Sequence, residues 1–264
     1  GMDRVRVDVL LVERGLAESR AQAQRLVMAG QVRADGQVVP KPATTVPADA
    51  LLEVDQGPPF VSRGGEKLEA ALATFYIDVA GKVCADVGAS TGGFTDCLLQ
   101  NGAARVYTID VGHGILHWKL RQDERVIVME RTNARHVERL PEPMELVTVD
   151  ASFISLKLLL PVIKNWFPEG GGELIALIKP QFEAGKAEAS RGEGVIRDPA
   201  VHRRVLGGVL RFAGGQRFGV RGLIRSPLTG PKGNVEFLAW LSYPEIETQA
   251  PDAFIEQVLP EDAV

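Results

Sequence analysis

The stretch from Lys82 to Asn101, KVCADVGASTGGFTDCLLQN, constrains the fold more than any other part of the chain. Val83 to Val87 is an apolar run of strand length. Gly88-Ala89-Ser90-Thr91-Gly92-Gly93 is a glycine-rich turn, and Phe94 to Gln100 has helical spacing, stopped by Asn101-Gly102. A strand, a glycine turn and a helix make the opening unit of a doubly wound α/β sheet, which binds ligands at the carboxyl ends of its strands. The glycines let the backbone pass close to a ligand, and the helix N-terminus offers free N–H donors. The turn reads D-x-G-x-x-x-G-G, so the G-x-G-x-x-G dinucleotide fingerprint is incomplete. Asp86 at the strand end is a poor neighbour for a pyrophosphate and suits a ligand with a cationic end.

Strand and helix patterns alternate after this unit. Arg105 to Asp110, Val126 to Met129, Leu146 to Asp150 and Glu173 to Ile178 read as strands, and Ser155 to Trp166 as a helix. Gln181 to Asp198 is polar and glycine-rich and reads as a long loop at the ligand edge. Pro199 opens a helix reaching about Ala213. Arg217 to Ser226 and Asn234 to Tyr243 read as the last strands, and their short connection implies antiparallel pairing. Ahead of the glycine turn, Glu66 to Phe75 carries a helical stripe of Leu68, Ala71, Leu72 and Phe75, with Lys67 off that stripe.

The glycine turn resembles motif I of the Rossmann-like methyltransferases. The resemblance implies S-adenosyl-L-methionine as cofactor, cradled by Asp86, Gly88, Ala89, Ser90, Thr91, Gly92, Gly93 and Phe94. Asp110 then takes the ribose hydroxyls, Asn133 and Ala134 flank the adenine, and Asp150 closes the site. Four polar residues, Lys67, Asp150, Lys179 and Glu236, stand in an order that resembles the K-D-K-E tetrad of FtsJ-like 2′-O-ribose RNA methyltransferases. By that resemblance Lys179 orients and deprotonates a ribose 2′-hydroxyl and Asp150 positions the lysine. Lys67 and Glu236, the latter read as lying inside the last strand, complete the network.

Residues 4–54 form a separate block. Val5, Val9, Leu10 and Leu11 give a helical stripe, and Ser19 caps a second helix, Arg20 to Ala29, that stops at Gly30. Asp35-Gly36 turns a strand at Val32 into Gln37-Val38-Val39, and Leu51 to Val54 is a further strand. This order resembles the αL RNA-binding module of the ribosomal protein S-four type. It makes Arg20, Arg25 and Arg33 candidate RNA contacts, with Arg6, Arg14 and Lys41 in support and Arg63 and Lys232 beside the catalytic edge. An αL module joined to such a domain through FVSRGGEKLEAAL, together with GASTGGFTDCLLQNGA and VDASFISL, is similar to the TlyA family, once labelled haemolysins. The family contains rRNA 2′-O-methyltransferases acting on cytidines.

The expected architecture is therefore α/β: a mostly parallel Rossmann-like methyltransferase sheet whose last strand is antiparallel, after a small α+β αL domain. The expected divisions are an αL domain at 4–54, a linker at 55–61, a methyltransferase domain at 62–243 and an acidic tail at 244–264. Net charge is −4, an odd balance for a nucleic-acid binder, but six of the 34 acids lie after Tyr243, where no Lys or Arg occurs. The rest of the chain is slightly basic. The tail reads as solvated, with a short helix near Asp252 to Val258.

Charges recur from Asp3 to Arg14, unlike a secretory leader, and no apolar run has spanning length, so a cytoplasmic protein is expected. Cys84 and Cys97 read as buried thiols in a reducing compartment. No Cys/His group has metal spacing, and His113 and His117 lack a third partner. The expected partner is ribosomal RNA or ribosomal subunits. A methyltransferase of small molecules or proteins, a membrane-active haemolysin and a non-catalytic RNA-binding protein are the competing readings. The αL block, the absence of an amphipathic or spanning segment and the intact tetrad argue against them in turn.

Overall fold

Asp86 lies on an inner strand of a seven-stranded sheet, and the site follows from that placement. The computed structural model describes residues 3–55, 57–246 and 249–259. Gln56 of the expected linker and Glu247, Glu261 and Asp262 of the expected acidic tail lie outside the described residues. The chain divides into two compact units, Gly1–Pro59 and Phe60–Val264.

The first unit runs β1 (Arg4–Arg6), α1 (Val7–Glu13), α2 (Arg20–Met28), β2 (Val32–Ala34), β3 (Gln37–Val38), β4 (Thr45–Pro47) and β5 (Leu52–Val54). Strands β3, β2 and β5 pair antiparallel in that order, and β1 pairs with β4. Ser19 Oγ accepts the Gln22 N–H at 3.1 Å, which caps α2 as its sequence position requires. The helical stripe expected to include Val5 starts later, at Val7. Val5 instead pairs with Val46 across β1 and β4. That pairing satisfies backbone groups 41 residues apart, where no local pattern signals it. Val7, Leu10, Leu11, Ala23, Val27, Val32 and Val46 form the core.

The second unit begins with α3 (Gly64–Phe75), then β6 (Val83–Val87), α4 (Gly93–Gln100), β7 (Arg105–Ile109), α5 (Trp118–Arg121) and β8 (Val126–Met129). It continues through β9 (Leu146–Val149), α6 (Leu156–Ile163), β10 (Gly172–Ile178), α7 (Pro180–Glu183), α8 (Lys186–Arg191) and α9 (Pro199–Gly215). It ends with β11 (Gly219–Arg225), β12 (Phe237–Tyr243) and α10 (Pro251–Val258). The sheet order is β11-β12-β10-β9-β6-β7-β8. Pairings from β10 to β8 are parallel, whereas β12 runs antiparallel to both neighbours. Chain direction across the sheet reverses between β6 and β9, the switch point where such sheets leave a crevice. One face packs on α3 and α4 through Leu68, Leu72, Phe94 and Leu98. The other packs on α6 and α9 through Leu159, Leu160, Leu206 and Leu210.

Three expectations change here. The stretch 181–198, read as an unstructured loop, holds α7 and α8, and Val195 and Ile196 are buried. Its few apolar anchors are isolated in sequence and find their partners only in the folded chain. Glu236, placed inside the last strand, sits one residue ahead of β12. The C-terminal stretch is not wholly solvated, because Ile255 of α10 and the following Leu259 join the core beside α9.

Candidate active site

Two cavities share the carboxyl edge at the switch point, one of about 670 Å³ and one of about 260 Å³, and Gly88, Ser90 and Asp150 line both. Gly88 follows β6 with φ +80°, and a Cβ there would lie 2.2 Å from the Asp150 carbonyl oxygen, so a side chain would close the crevice. Ala89, Thr91, Gly93 and Phe94 line the larger cavity. Asp110, Asn133 and Ala134 line the smaller, together with apolar Ile109, Val111, Ile154 and Leu159. The two Asp110 carboxylate oxygens accept backbone N–H groups of Ser90 and Gly112, each at 2.7 Å. These bonds fix the carboxylate and leave lone pairs for a ligand hydroxyl. Asn133 Oδ1 accepts the Arg135 N–H and holds the loop around Ala134.

Two cradle residues are placed elsewhere. Gly92 lines neither cavity. Asp86 is fully buried on the face turned to α4, opposite Thr108 of β7 and Thr148 of β9. Its carboxyl accepts the Thr95 hydroxyl at 2.7 Å. Burial drives the Asp86 pKa up to about 7, against the Thr95 hydrogen bond, which lowers it. Asp86 braces the turn from beneath and does not face the crevice.

The four tetrad residues form two ion pairs. Lys67 Nζ lies 3.0 Å from Glu236 Oε1, and these side chains are 12% and 0% exposed. Lys67 is thus drawn off the solvent face of α3 by a partner 169 residues away. Gly230 packs against the Glu236 carboxylate, where a Cβ would come within 2.1 Å of Oε2. Lys179 Nζ lies 2.5 Å from Asp150 Oδ1 and 3.2 Å from Ser152 Oγ. Pro180 starts α7 immediately after β10, which turns Lys179 at the sheet edge. Lys67 and Asp150 line the larger cavity, as do Arg63 and Lys232, both exposed. Lys232 Nζ also donates to the Glu193 carbonyl at 3.1 Å.

A third cavity, of about 730 Å³, is lined by Lys179, Ser152, Phe153, Gln181 and Phe182. The Phe153 and Phe182 ring centroids are 4.8 Å apart. Gln181 Nε2 donates to Glu236 Oε2 at 2.7 Å. Neither Gln181 nor Phe182 figures among the sequence candidates. The available signal was Pro180 as the first residue of a helix, which places the next side chains beside Lys179.

The basic residues of the first unit divide into two sets. Arg6 pairs with buried Asp8 at 2.9 Å, Arg20 approaches the same carboxylate at 3.6 Å, and Arg14 donates to the carbonyls of Ala50 and Ala48 at 2.5 and 2.7 Å. The Arg6 guanidinium, with Gln24 and the Val9 N–H, holds the Asp8 pKa down at about 2 despite burial. Arg25, Arg33 and Lys41 are exposed.

Comparison with known proteins identifies the family. The FtsJ-like methyltransferase family model matches residues 60–243, and the S4 domain model matches residues 5–52. The chain is 48% identical over 242 residues to the 16S/23S rRNA (cytidine-2'-O)-methyltransferase TlyA of Mycobacterium tuberculosis, a match covering 90% of each protein. It is 40% identical to Hemolysin A of Brachyspira hyodysenteriae, over 89% of this chain and 98% of that one. A Streptococcus thermophilus structure solved under the name hemolysin is 43% identical, with TM-score 0.71 over 97% of this chain and 94% of that one. Among the described residues no helix is long and apolar enough to cross a membrane, and no group of three or more His, Cys, Asp and Glu could hold a metal ion. The chain, a Rossmann-like methyltransferase sheet preceded by an S4 domain, belongs to the FtsJ-like methyltransferase family and, within it, to the TlyA group.

Proposed function

We propose that this protein transfers a methyl group from S-adenosylmethionine to the 2′-hydroxyl of a cytidine in ribosomal RNA, acting in the cytoplasm where its substrate is made. The observation that carries the reading is the Lys179–Asp150 pair, at a point where a cofactor crevice adjoins an aromatic recess.

The crevice has groups that suit the cofactor. Asp110 presents an oriented carboxylate to a ribose diol, and the apolar wall around Ala134 and Ile154 suits a planar purine. Asp150 and the backbone at Gly88 lie toward the methionine end. Bound there, the cofactor supplies a methyl carbon on a sulfonium, with a neutral thioether as the leaving group. Lys179 holds the attacking oxygen, positioned by Asp150 and Ser152. The proton that the attacking hydroxyl must lose would pass to the Lys179–Asp150 pair. Positioning of this kind supplies much of the rate, and proton transfer adds about 10²–10⁴-fold. Lys67 and Glu236 stiffen the other side of the acceptor position.

Arg25, Arg33 and Lys41 are the RNA-facing charges of the S4 domain in this reading, because Arg6 and Arg14 already serve its fold. Substituting Arg25 and Arg33 by Ala together weakens subunit binding and flattens its salt dependence, since each phosphate contact adds to that slope. Unchanged affinity and slope would remove them from the interface. The deciding experiment incubates the full chain with labelled cofactor and unmodified ribosomal subunits and maps the product. Replacing the target by its 2′-deoxy analogue abolishes labelling. Persistent labelling of the deoxy substrate sinks the ribose assignment.

A further inference from the structure

Gln181 is almost wholly buried on α7, two residues beyond Lys179. Its amide nitrogen donates to Glu236 Oε2 at 2.7 Å, and the other Glu236 oxygen is held by Lys67 at 3.0 Å. Its amide oxygen is buried and has no hydrogen-bond partner among the described residues. An amide can present either atom in a given direction, and its neighbours decide which. Here the neighbour is an ionised carboxylate, which only accepts. Turning the amide over would set oxygen against oxygen and sacrifice a charge-assisted bond. The Lys67–Glu236 pair therefore locks Gln181 with its oxygen directed away from Glu236. A buried acceptor left without a donor disfavours the unliganded state, and a ligand that brings a donor relieves it.

Gln181 lines the same recess as Phe153 and Phe182, whose rings provide stacking surface, and Lys179 lies at the recess wall. With the ribose at Lys179, the base enters this recess. We infer that Gln181 is a specificity-determining residue: its fixed amide oxygen accepts a hydrogen bond from the exocyclic amino group of the target base. The inference rests on the ribose-methylation reading above. A cytosine offers an amino donor where a uracil offers a carbonyl oxygen. Uracil therefore loses the bond and meets the locked oxygen head-on, so discrimination comes from repulsion as well as from a missing contact.

The test uses the full-length protein and three RNA or reconstituted-subunit substrates: the native cytidine, uridine at that position, and a pyrimidin-2-one nucleoside that lacks only the 4-amino group. The natural enzyme loses at least about 100-fold in kcat/KM on both replacements, in the range of sites built around a polar substrate group. Gln181→Met keeps the side-chain length without the oxygen. It falls on cytidine and treats cytidine and pyrimidin-2-one within about threefold of each other, as expected once the coupled partner is gone. Cofactor affinity and melting temperature of the variant verify that it is folded. Equal rates of the natural enzyme on cytidine and pyrimidin-2-one overturn the inference without recourse to any variant. Full discrimination retained by Gln181→Met does so too, leaving the residue as a support for Glu236. Failure of the natural enzyme to methylate cytidine at all would instead overturn the ribose reading.

Discussion

Asp86 and Asp110 stand at the ends of neighbouring parallel strands, each after an apolar run, yet one is sealed under α4 and the other opens on the crevice. Register explains the difference. Asp86 pairs with Thr108 and Thr148, one step inside the sheet, whereas Asp110 and Asp150 lie two residues beyond those threonines. The corresponding position after Asp86, following β6, is Gly88, which has no side chain to offer. The crevice is thus a gap at the end of β6 flanked by carboxylates that follow β7 and β9. An acid at a strand end is a ligand group only when the adjacent strands stop level with it.

This contrast can be broken in order of effect. Asp150→Ala removes the partner of Lys179, and the methyl-transfer rate falls about 10²–10⁴-fold, read by single-turnover assay with cofactor saturating. A rate within threefold of the natural enzyme would detach Asp150 from the chemistry. Gly88→Ala forces a side chain to φ +80° and to 2.2 Å from the Asp150 carbonyl, so cofactor binding is lost and the melting temperature drops. Unaltered calorimetric titration would show that the crevice is wider than described. Asp110→Ala weakens the cofactor by about 10–100-fold, the loss of hydrogen bonds to a charged acceptor. No change in Kd would put the ribose elsewhere.

Asp86→Asn gives the smallest effect on binding, within about threefold, and its signature is in pH. A carboxyl whose pKa is raised in the folded chain binds its proton more tightly there. Its contribution to stability is present below the unfolded value, near 3.9, and declines as pH rises toward about 7. The natural protein therefore loses melting temperature relative to Asp86→Asn between about pH 4 and 7. Parallel pH curves for the two proteins would contradict a buried, protonatable Asp86.

The same contrast marks how far the sequence is legible. The strand, glycine turn and helix from Val83 to Gln100 are visible because each signal is local: an apolar run, glycines and a helical period. The Ser19 cap is local too. Asp86 was misplaced because its level relative to β7 and β9 is a property of pairing. Lys67 is singled out only by the resemblance to the tetrad, since its local pattern shows no more than a residue off the apolar stripe and its partner lies far along the chain, and Gln181 is hidden in a stretch whose polar composition masks two helices. Each miss concerns a side chain whose environment is assembled from distant segments.

The span of the Lys67–Glu236 pair sets an order of events during synthesis. The smaller cavity is lined only by residues from Val87 to Leu159, so its walls leave the ribosome well before Glu236 does, whereas the larger one also needs Thr229 to Gly233. At roughly 5–20 residues per second, the 169 positions between the pair take on the order of ten to thirty seconds. A chain stopped before Glu236 lacks the partner of Lys67 and also β12, the strand that joins β10 to β11. The ion pair and the inner strand beside it are thus completed together, late in synthesis.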